Sequence, residues 1–454
     1  MFCIYRWLSW WSSQEQTSPT IHLNPHPPLK VTTSSKSQTL LHTTSQISLI
    51  MSTTKVAIIG AGLSGLTLAL ALHQQGIEAI AYEQQSAPLD IGGAIMLSPN
   101  ALRILDKLGV FERMEPRSYK FEESYFLSQD GKTVDVFEFG SVAKYGYSGI
   151  RVYRFELINI LLDLVREAGI QVVYGKKFDR IISETEDSVT WLFTDGSEST
   201  ASLLVGADGI HSRVRSYIHP DLQPKFTNMI GVTAAVPTEQ LNMKKDEYKL
   251  PATFMHNKRG AFVIAPQLAD GSEVLIGKQR IFAGEDPGRD AWKAMTSDKT
   301  WCIDFLREGS EDFPPIVSNA TSNISTDKVN LWPFYLLPKL NKWASTDKQS
   351  RVIILGDAAH AIPPTAGQGV NQAFEDVYTF AGILGHLKQK ELGGALERWQ
   401  KGRQGRIDRV IELNGEINQR RLPKEGDVEM KPFELDWLYA VDLDEMVEEF
   451  VGGR

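Results

Sequence analysis

Three widely separated loops carry the residues that could do chemistry in this chain. The first, Gly60-Ala-Gly62-Leu-Ser-Gly65, follows an apolar run and precedes a helical pattern. Gly60 allows a tight turn, Gly62 lets the backbone approach a pyrophosphate, and Gly65 lets the helix pack closely on the strand. Glu83, at the end of a second predicted strand, could accept ribose hydroxyls. This spacing predicts a βαβ unit that binds a dinucleotide at a helix N-terminus, although a Gly-rich turn in an ordinary α/β protein is the alternative.

The second and third loops also follow apolar strands. Gly206-Ala-Asp208-Gly209 comes after a strand that begins at Leu203, and Gly356-Asp357-Ala-Ala-His360 comes after Val352–Leu355. Open α/β sheets bind ligands at such strand ends. One NAD would need only the first loop, whereas a cofactor with a pyrophosphate, a ribityl chain and a flat ring would need all three.

Other positions fit the same long ligand. Gly92 and Gly93, just before Ala94, indicate backbone close to a ligand, and a helix is predicted to begin at Gly369. Arg154 lies in the first turn of an amphipathic helix, where its charge is unfavourable with the dipole unless a phosphate is near. An exposed surface arginine is the alternative. His360 could act as a base, but its position at the motif turn favours a structural role.

Composition limits the class of protein. The 454 residues, 42% hydrophobic and 23% charged, predict a soluble globular protein of two or three domains. The net charge of −8 argues against a nucleic-acid surface. Two cysteines, Cys3 and Cys302, favour a reducing compartment, so we expect a cytoplasmic location and no structural disulfide. No apolar run approaches the roughly 18 residues of a membrane helix, so we expect no stable membrane insertion.

Residues 1–50 differ from the rest, since they are rich in Ser, Thr, His and Pro and hold one acidic residue, Glu15. We expect this extension to be disordered. Upstream sequence wrongly included before Met51 is the favoured interpretation. A transit peptide for an organelle and a short membrane anchor are the alternatives.

The hydrophobic patterns predict an α/β fold in which a Rossmann-like domain with a parallel sheet is interleaved with an antiparallel-sheet substrate domain and followed by C-terminal helices. Leu331–Trp343 is predicted to be a rigid connector. The tail Phe433–Phe450 is predicted to pack on the protein's own body, with partner binding as the alternative. The predicted domains are a non-native or disordered extension (1–54), a discontinuous cofactor domain (55–118, 151–215 and 345–417), a substrate domain (119–150 and 216–344) and a C-terminal segment (418–454).

Together, the three loops resemble a known family. The first motif, GADG at 206–209 and GDAAHAIPPTAGQGVNQAFED at 356–376 are similar to those of the single-component, FAD-dependent aromatic hydroxylases. The resemblance is strongest to the salicylate-hydroxylase-like group, which has many fungal members, and it covers roughly Lys55 to Ile417.

The resemblance implies roles for the candidate site residues. Glu83 would bind the adenosine ribose, Arg154 the pyrophosphate or ribityl region, and Asp357 a ribityl hydroxyl. Asp208 would serve both FAD and a passing NADPH. The remaining implied cofactor-binding positions are Gly60, Gly62, Gly65, Gly93, Ala94 and Gly367, with Gly369, Val370 and Asn371 at the pyrimidine edge of the flavin. No metal site is expected.

The implied activity is monooxygenation. NADPH or NADH would dock transiently and reduce FAD, which agrees with the lack of a second GxGxxG motif. Reaction with O₂ would then give a flavin C4a-hydroperoxide that hydroxylates a small electron-rich substrate, aromatic or similar to a polyketide or alkaloid, in specialised metabolism. The antiparallel sheet would cover the flavin and form the substrate pocket.

Two departures from the family pattern concern substrate activation. Related enzymes commonly carry an arginine in the strand matching Met229–Pro237 and a tyrosine before the proline matching Pro266, whereas this chain has MIGVTAAVP and Ala265. His256, Arg259 and Arg280 are polar residues of the same sheet that could substitute. Gln84 also follows Glu83 where an arginine is usual. An epoxidase, a Baeyer–Villiger-type monooxygenase and a catalytically silent flavin-binding protein are therefore alternatives.

Overall fold

The computed structural model describes residues 55–88, 93–345, 350–387, 392–420 and 431–452. The expectations for residues 1–54 and for Gly92 lie outside these ranges. The strands are β1 (Lys55–Ile59), β2 (Glu78–Tyr82), β3 (Ala94–Leu97), β4 (Tyr119–Phe121), β5 (Glu123–Leu127), β6 (Thr133–Glu138), β7 (Gly149–Tyr153), β8 (Gln171–Val173), β9 (Phe178–Glu184), β10 (Val189–Phe193), β11 (Glu198–Ala201), β12 (Leu203–Gly206), β13 (Lys225–Pro237), β14 (Ala252–His256), β15 (Gly260–Pro266), β16 (Glu273–Ile281), β17 (Asn330–Leu336) and β18 (Val352–Ile354).

The helices lie between these strands and after them. They are α1 (Leu63–Gln74), α2 (Pro99–Lys107), α3 (Phe111–Met114), α4 (Val142–Tyr145), α5 (Arg154–Glu167), α6 (Arg215–Ile218), α7 (Arg289–Ser297), α8 (Lys299–Arg307), α9 (Pro315–Thr321), α10 (Asp357–His360), α11 (Gly369–His386), α12 (Leu392–Arg420), α13 (Asp436–Tyr439) and α14 (Leu443–Gly452). None of the helices in the described ranges is long and apolar enough to cross a membrane.

A parallel sheet in the order β18-β12-β1-β2-β8 forms the centre of the cofactor-binding part. Its strands are short and apolar, and β1, β12 and β18 are almost wholly buried because helices cover the sheet. The carboxyl ends of β1, β12 and β18 lie side by side, since the register pairs Ile59 with Gly206 and Gly206 with Ile354. The three candidate loops therefore leave the sheet at one edge.

A seven-stranded sheet in the order β17-β13-β16-β15-β14-β5-β6 forms the second layer. The predicted antiparallel pairing is confirmed for β13 to β16, and β13 pairs with β16 over the whole of Met229–Pro237. The pair of β14 and β5 is parallel. The prediction of a rigid connector at Leu331–Trp343 is wrong for its first part, because β17 adds there as an edge strand. Its aromatic side chains pack on the sheet, so tertiary contact decided this conformation.

A smaller sheet, β3-β7-β4, is joined to the seven-stranded sheet by hydrogen bonds from Ala94 to Gln267 and from Arg151 to Pro266. The α/β fold with one parallel sheet, antiparallel sheets and C-terminal helices is as the sequence predicted. The division into discontinuous domains remains a prediction.

The C-terminal helices pack on the body of the protein, as predicted for the tail. Asp442 caps α14, because its Oδ1 accepts the N–H groups of Asp444 and Glu445 at 3.0 and 3.1 Å. Val447 of α14 contacts α11 at Gly382, where a Cβ would be 2.8 Å from the valine side chain. This close approach holds α14 against α11.

Candidate active site

The three loops predicted from sequence contact one another. Gly60 has φ +106°, and a Cβ there would lie 2.6 Å from the carbonyl oxygen of Ala207. A Cβ at Gly356 would lie 3.1 Å from both Ser64 Oγ and Ala373 Cβ. The loop after β1 therefore contacts the loop after β12, and the turn after β18 contacts the starts of α1 and α11.

A cleft lies where these loops meet. It is lined by residues from all three motifs, from β3 and from the start of α5: Gly62, Leu63, Ser64, Ile95, Arg154, Ala207, Gly209, Leu355, Asp357, Val370 and Ala373. The structure thus brings Gly62, Arg154, Asp357 and Val370 of the predicted set to one surface.

Two helices begin at this cleft without a capping side chain. Gly62 is the N-cap of α1, and Gln368 is the N-cap of α11 but makes no side-chain cap bond. Instead, Gln368 Nε2 donates to Ser98 Oγ at 2.9 Å. Neither helix has an acidic residue in its first turn. Both N-termini therefore offer backbone N–H groups and the positive end of a helix dipole to an anionic ligand.

The glycines of the first motif have different surroundings. A Cβ at Gly65 would lie 1.9 Å from the carbonyl oxygen of Gly60, so this position needs glycine for helix–strand packing. A Cβ at Gly62 would meet no protein atom within 4 Å, although Gly62 lines the cleft. The open space beside Gly62 is what an approaching pyrophosphate needs.

Asp357 is the carboxylate of the cleft. Burial raises the pKa of Asp357, and the charges of His360 and Arg154 oppose that shift. Its neighbour Gly356 donates its N–H to Asp376 Oδ2 at 2.9 Å, which fixes the turn. A hydroxyl-rich ligand would give this carboxylate the hydrogen bonds that compensate for its burial.

The carboxylates of Glu83 and Asp208 accept hydrogen bonds from the backbone of the loops that form the cleft. Glu83 Oε2 accepts the N–H of Ala61 at 3.0 Å and is therefore tied to the first glycine loop. Asp208 Oδ2 accepts the N–H groups of Arg213 and Val214 at 2.8 and 3.3 Å. Asp208 Oδ1 is buried without a hydrogen-bond partner among the described residues. A polar group of a ligand could satisfy this oxygen.

The remaining predicted positions lie at the start of α11. Asn371 Oδ1 accepts the N–H of Ser98 at 2.9 Å, and its Nδ2 donates to the carbonyls of Met96 and Gly367. Gly367 has φ +65°, which favours glycine. Gly369 is the first residue of α11. Asn371 thereby fastens the start of α11 to β3.

The segment at Gly93 and Ala94 is held by the second sheet. Gln267 Oε1 accepts the Ala94 N–H at 2.9 Å, and a Cβ at Gly93 would lie 2.7 Å from the same oxygen. A Cβ at Gly93 would also lie 3.2 Å from Leu275 Cδ1. The face of β16 that carries Leu275 therefore looks towards this segment.

That face of the seven-stranded sheet is apolar. It holds a cluster separate from the main core: Met229, Val263, Ala265, Leu275, Trp332 and Phe334. Trp332 Nε1 donates to Thr233 Oγ1 at 3.0 Å, so the polar atom of this indole is satisfied. An apolar sheet face beside the cleft is suited to an apolar ligand.

His256, Arg259 and Arg280 were considered as substitutes for the missing arginine and tyrosine, but none of them belongs to this apolar cluster. Side chains alternate along β16, and Arg280 is on the face opposite Leu275. It pairs with Glu308 just after α8, and Arg259 pairs with Asp312. His256 Nδ1 accepts the N–H groups of Lys258 and Arg259 in its own turn. The hypothesis that these residues face the substrate is therefore not supported by their positions.

A buried ionic network behind the cleft was not foreseen. Arg403 of α12 bonds Glu375 and Asp376 of α11, and Asp376 also bonds His360. Arg406 bonds Glu375 at 2.7 Å. Burial alone would raise the pKa of Glu375, but the two arginines lower it to about 2. The sequence did contain a signal for this network, namely polar residues at helical spacing in a helix that is otherwise buried.

Asn100 belongs to the same network. Asparagine is a favoured N-cap residue, and by type and position Asn100 suits the cap of a helix that starts near Ala101. In the structure, α2 begins at Pro99 with Ser98 as its N-cap residue. The Asn100 amide instead donates to Glu375 Oε1 at 2.7 Å. A distant buried carboxylate thus outweighed the local capping preference.

These features fit FAD. The cleft offers two uncapped helix N-termini, open space beside Gly62 and the buried carboxylate of Asp357, which are suited to phosphate and hydroxyl groups. Asp208, between the lining residues Ala207 and Gly209, has an unsatisfied oxygen. The model of the FAD binding domain family matches residues 53–413, and the chain belongs to this family. It is an FAD-dependent monooxygenase, an oxidoreductase of the flavoprotein hydroxylase class.

The relatives bear this out. The chain is 28% identical over 427 residues to a salicylate hydroxylase of Pseudomonas putida, covering 87% of this chain and 93% of the relative. It is 27% identical over 405 residues to the FAD-dependent monooxygenase olcE of Penicillium canescens, covering 79% of each. The solved salicylate hydroxylase substrate complex shares the fold, with a TM-score of 0.72 at 21% identity, 88% of this chain and 98% of that one.

Proposed function

We propose that this monooxygenase uses NADPH or NADH and O₂ to hydroxylate a small, electron-rich substrate, aromatic or similar to a polyketide or alkaloid. We place this reaction in the cytoplasm and in specialised metabolism. The observation that carries the proposal is the cleft, which joins three nucleotide-binding loops to the start of α11 beside an apolar sheet face. Relatives that hydroxylate salicylate support the substrate class.

In this proposal each part of the cleft binds one part of the cofactor. The N-terminus of α1 at Gly62 takes the pyrophosphate, and Arg154 adds positive charge. Asp357 takes a ribityl hydroxyl, and Glu83 supports the adenosine end. The N-terminus of α11 at Val370 stabilises negative charge at the pyrimidine edge by about 1 kcal/mol.

The bound cofactor would supply the redox chemistry, accepting a hydride from the nicotinamide and passing one atom of O₂ to the substrate. The protein's part is to position both reactants and to exclude water. Asn371 holds the start of α11 against β3. The apolar cluster that contains Ala265 and Trp332 would exclude water from the reaction.

Purified protein tests the proposal directly. It should carry one equivalent of FAD and oxidise NADPH or NADH with uptake of O₂ when a substrate is present. Product formed under ¹⁸O₂ should contain a labelled hydroxyl. A labelled ester or epoxide would favour the alternative oxygen insertions, and protein that cannot bind FAD would refute the proposal.

A pair of variants separates the cleft from the rest of the surface. Asp357→Ala should lose FAD because the hydroxyl partner in the cleft is removed. The matched control is Asp408→Ala, which removes a partly exposed carboxylate of α12 that pairs with Lys339. The control should keep its FAD, and equal FAD content in the two variants would contradict the assignment of Asp357.

A further inference from the structure

Gln267 is a buried amide at the join between the second sheet and the cleft. It directly follows Pro266, the last residue of β15, and only 1% of its surface is exposed. Its Oε1 accepts the N–H of Ala94 at 2.9 Å, and its Nε2 donates to the hydroxyl of Tyr153 at 2.9 Å. One side chain of the second sheet thus binds both β3 and β7 of the small sheet.

The two residues that Gln267 binds face each other at the end of the β3–β7 ladder. Ala94 pairs with Tyr153 in the register of these strands. The residue that follows each of them in the chain, Ile95 and Arg154, lines the cleft. Tyr153 is also the N-cap residue of α5, where it makes no side-chain cap bond. The amide of Gln267 therefore holds the point at which an apolar residue and a cation join the lining of the cleft.

The partners of Gln267 leave its amide a single orientation. The hydroxyl of Tyr153 donates its one proton to Glu273 Oε1, so it accepts from Gln267. The N–H of Ala94 needs an acceptor, which the amide oxygen provides. A Cβ at Gly93 would lie 2.7 Å from that oxygen, so the amide packs closely against the backbone. With its donor and its acceptor both in use, the side chain fixes the distance between the elements that it joins.

Arg151 supports another part of this join. Its Nε donates to the carbonyl of Pro266 at 2.7 Å, and its Nη2 donates to that of Ala94 at 3.4 Å. These bonds fix the main chain at the end of β15 and at the start of β3. The bond from Gln267 to Tyr153 is made at the end of β7, which leads into α5. Loss of the Gln267 amide should therefore disturb the start of α5 more than the start of β3.

We propose that Gln267 is a positioning residue for the FAD cleft, because its amide sets the place of Arg154 relative to the second sheet. This inference rests on the proposed function, in which Arg154 adds positive charge at the pyrophosphate. In this role Gln267 touches neither the cofactor nor the substrate and acts through the residues that it holds. A cation displaced by about 1 Å from an anionic ligand loses much of a charge-assisted hydrogen bond.

One substitution and a matched control test the inference. Gln267→Met keeps an unbranched side chain of similar volume but removes both hydrogen bonds, and it should bind FAD about 10-fold more weakly. The control is Gln240→Met, in the turn after β13. Gln240 is a partly buried glutamine whose Nε2 donates to the carbonyls of Asn319 and Ala320 at 3.2 and 2.9 Å. The control should bind FAD within about twofold of the wild type, whereas equal dissociation constants of Gln267→Met and the wild type would overturn the proposal.

A double-mutant cycle shows whether Gln267 acts through Arg154. In the Arg154→Gln background, Gln267→Met should weaken FAD binding by less than about twofold, because the cation that the amide positions is gone. A merely structural contribution of Gln267 would persist in both backgrounds. The same loss of FAD affinity with and without Arg154 would therefore contradict the proposal.

A third variant separates the possible failures. Tyr153→Phe removes the hydroxyl that Gln267 binds, at a partly exposed position, and should also weaken FAD binding, so it takes the place of Gln267→Met if that variant does not fold. Denaturant unfolding of each apoprotein reports folding independently of FAD. Wild-type protein that binds no FAD would refute the proposed function itself. Wild-type protein that binds FAD, with folded Gln267→Met and Tyr153→Phe binding it equally well, would refute only the positioning role.

Discussion

Replacing two glycines of one motif by alanine should produce two different defects. Gly65→Ala would place a methyl group 1.9 Å from the carbonyl oxygen of Gly60, in the contact between α1 and β1. The backbone must shift by about 1 Å or more to admit it, and we expect a loss of about 3 kcal/mol or more in the free energy of unfolding. This loss should appear in the apoprotein, before any cofactor is added.

Gly62→Ala should leave the fold intact and weaken FAD binding. Gly62 has φ −87° and ψ −166°, which alanine adopts readily, and a Cβ there meets no protein atom within 4 Å. We expect the free energy of unfolding of the apoprotein to change by less than about 1 kcal/mol. The methyl group would instead occupy the space proposed for the pyrophosphate. Losing one backbone bond to a charged phosphate weakens binding by about 10- to 100-fold.

The assay compares both variants with the wild type as apoproteins. Denaturant unfolding followed by circular dichroism gives stability, and titration of FAD followed by flavin fluorescence gives the dissociation constant. If Gly62→Ala binds FAD within about twofold of the wild type, the pyrophosphate does not lie beside Gly62. If Gly62→Ala is as unstable as Gly65→Ala, the space beside Gly62 is not open and the distinction drawn from the structure is wrong.

Other predictions concern the charges buried in the fold. Arg403→Met removes one guanidinium from two buried carboxylates and should cost about 3–5 kcal/mol of unfolding free energy. Arg113→Met, at an exposed pair with Glu167, should cost far less, and equal losses by denaturant unfolding would contradict this. The pKa of Glu375 is lowered from 4.5 to about 2, so ionised Glu375 contributes its full share of the unfolding free energy above about pH 4.5, and this share is lost as the pH falls towards 2. In Glu375→Gln, the unfolding free energy should therefore fall less steeply between pH 4.5 and pH 2. Burial lowers the pKa of Lys278 from 10.5 to about 8. As the pH rises from 8 to 10.5, the unfolding free energy of the wild type should therefore increase relative to that of Lys278→Met, and parallel curves of unfolding free energy against pH would refute this.

Much of the cofactor cleft could be predicted from local sequence. The positive φ of Gly60, the close packing at Gly65 and the start of α11 at Gly369 follow from residue type and spacing alone. Glycine has no Cβ, so a motif that needs a tight turn or a close approach shows it directly in the sequence. The periodicity of apolar residues fixed the types of most elements for the same local reason.

The partners of buried polar side chains could not be predicted. Asn100 suited a helix cap by its type, and Asn371 was expected at the flavin, yet both bond to groups more than 270 positions away in the chain. A side chain of this kind satisfies whichever buried group the fold brings to it. The sequence contains the members of the Arg403 network but not their proximity.

The sequence by itself determined that this chain binds a long nucleotide cofactor, because the glycines and strand ends that do so act through local backbone geometry. Only the tertiary structure decided which arginine is buried and which is partly exposed. Side chains alternate along a strand, so the register of the strands sent Arg280 to the outer face, while β7 brought Arg151 inward to Pro266. A strand shifted by one residue would have reversed such an assignment, and long-range packing alone fixes that register.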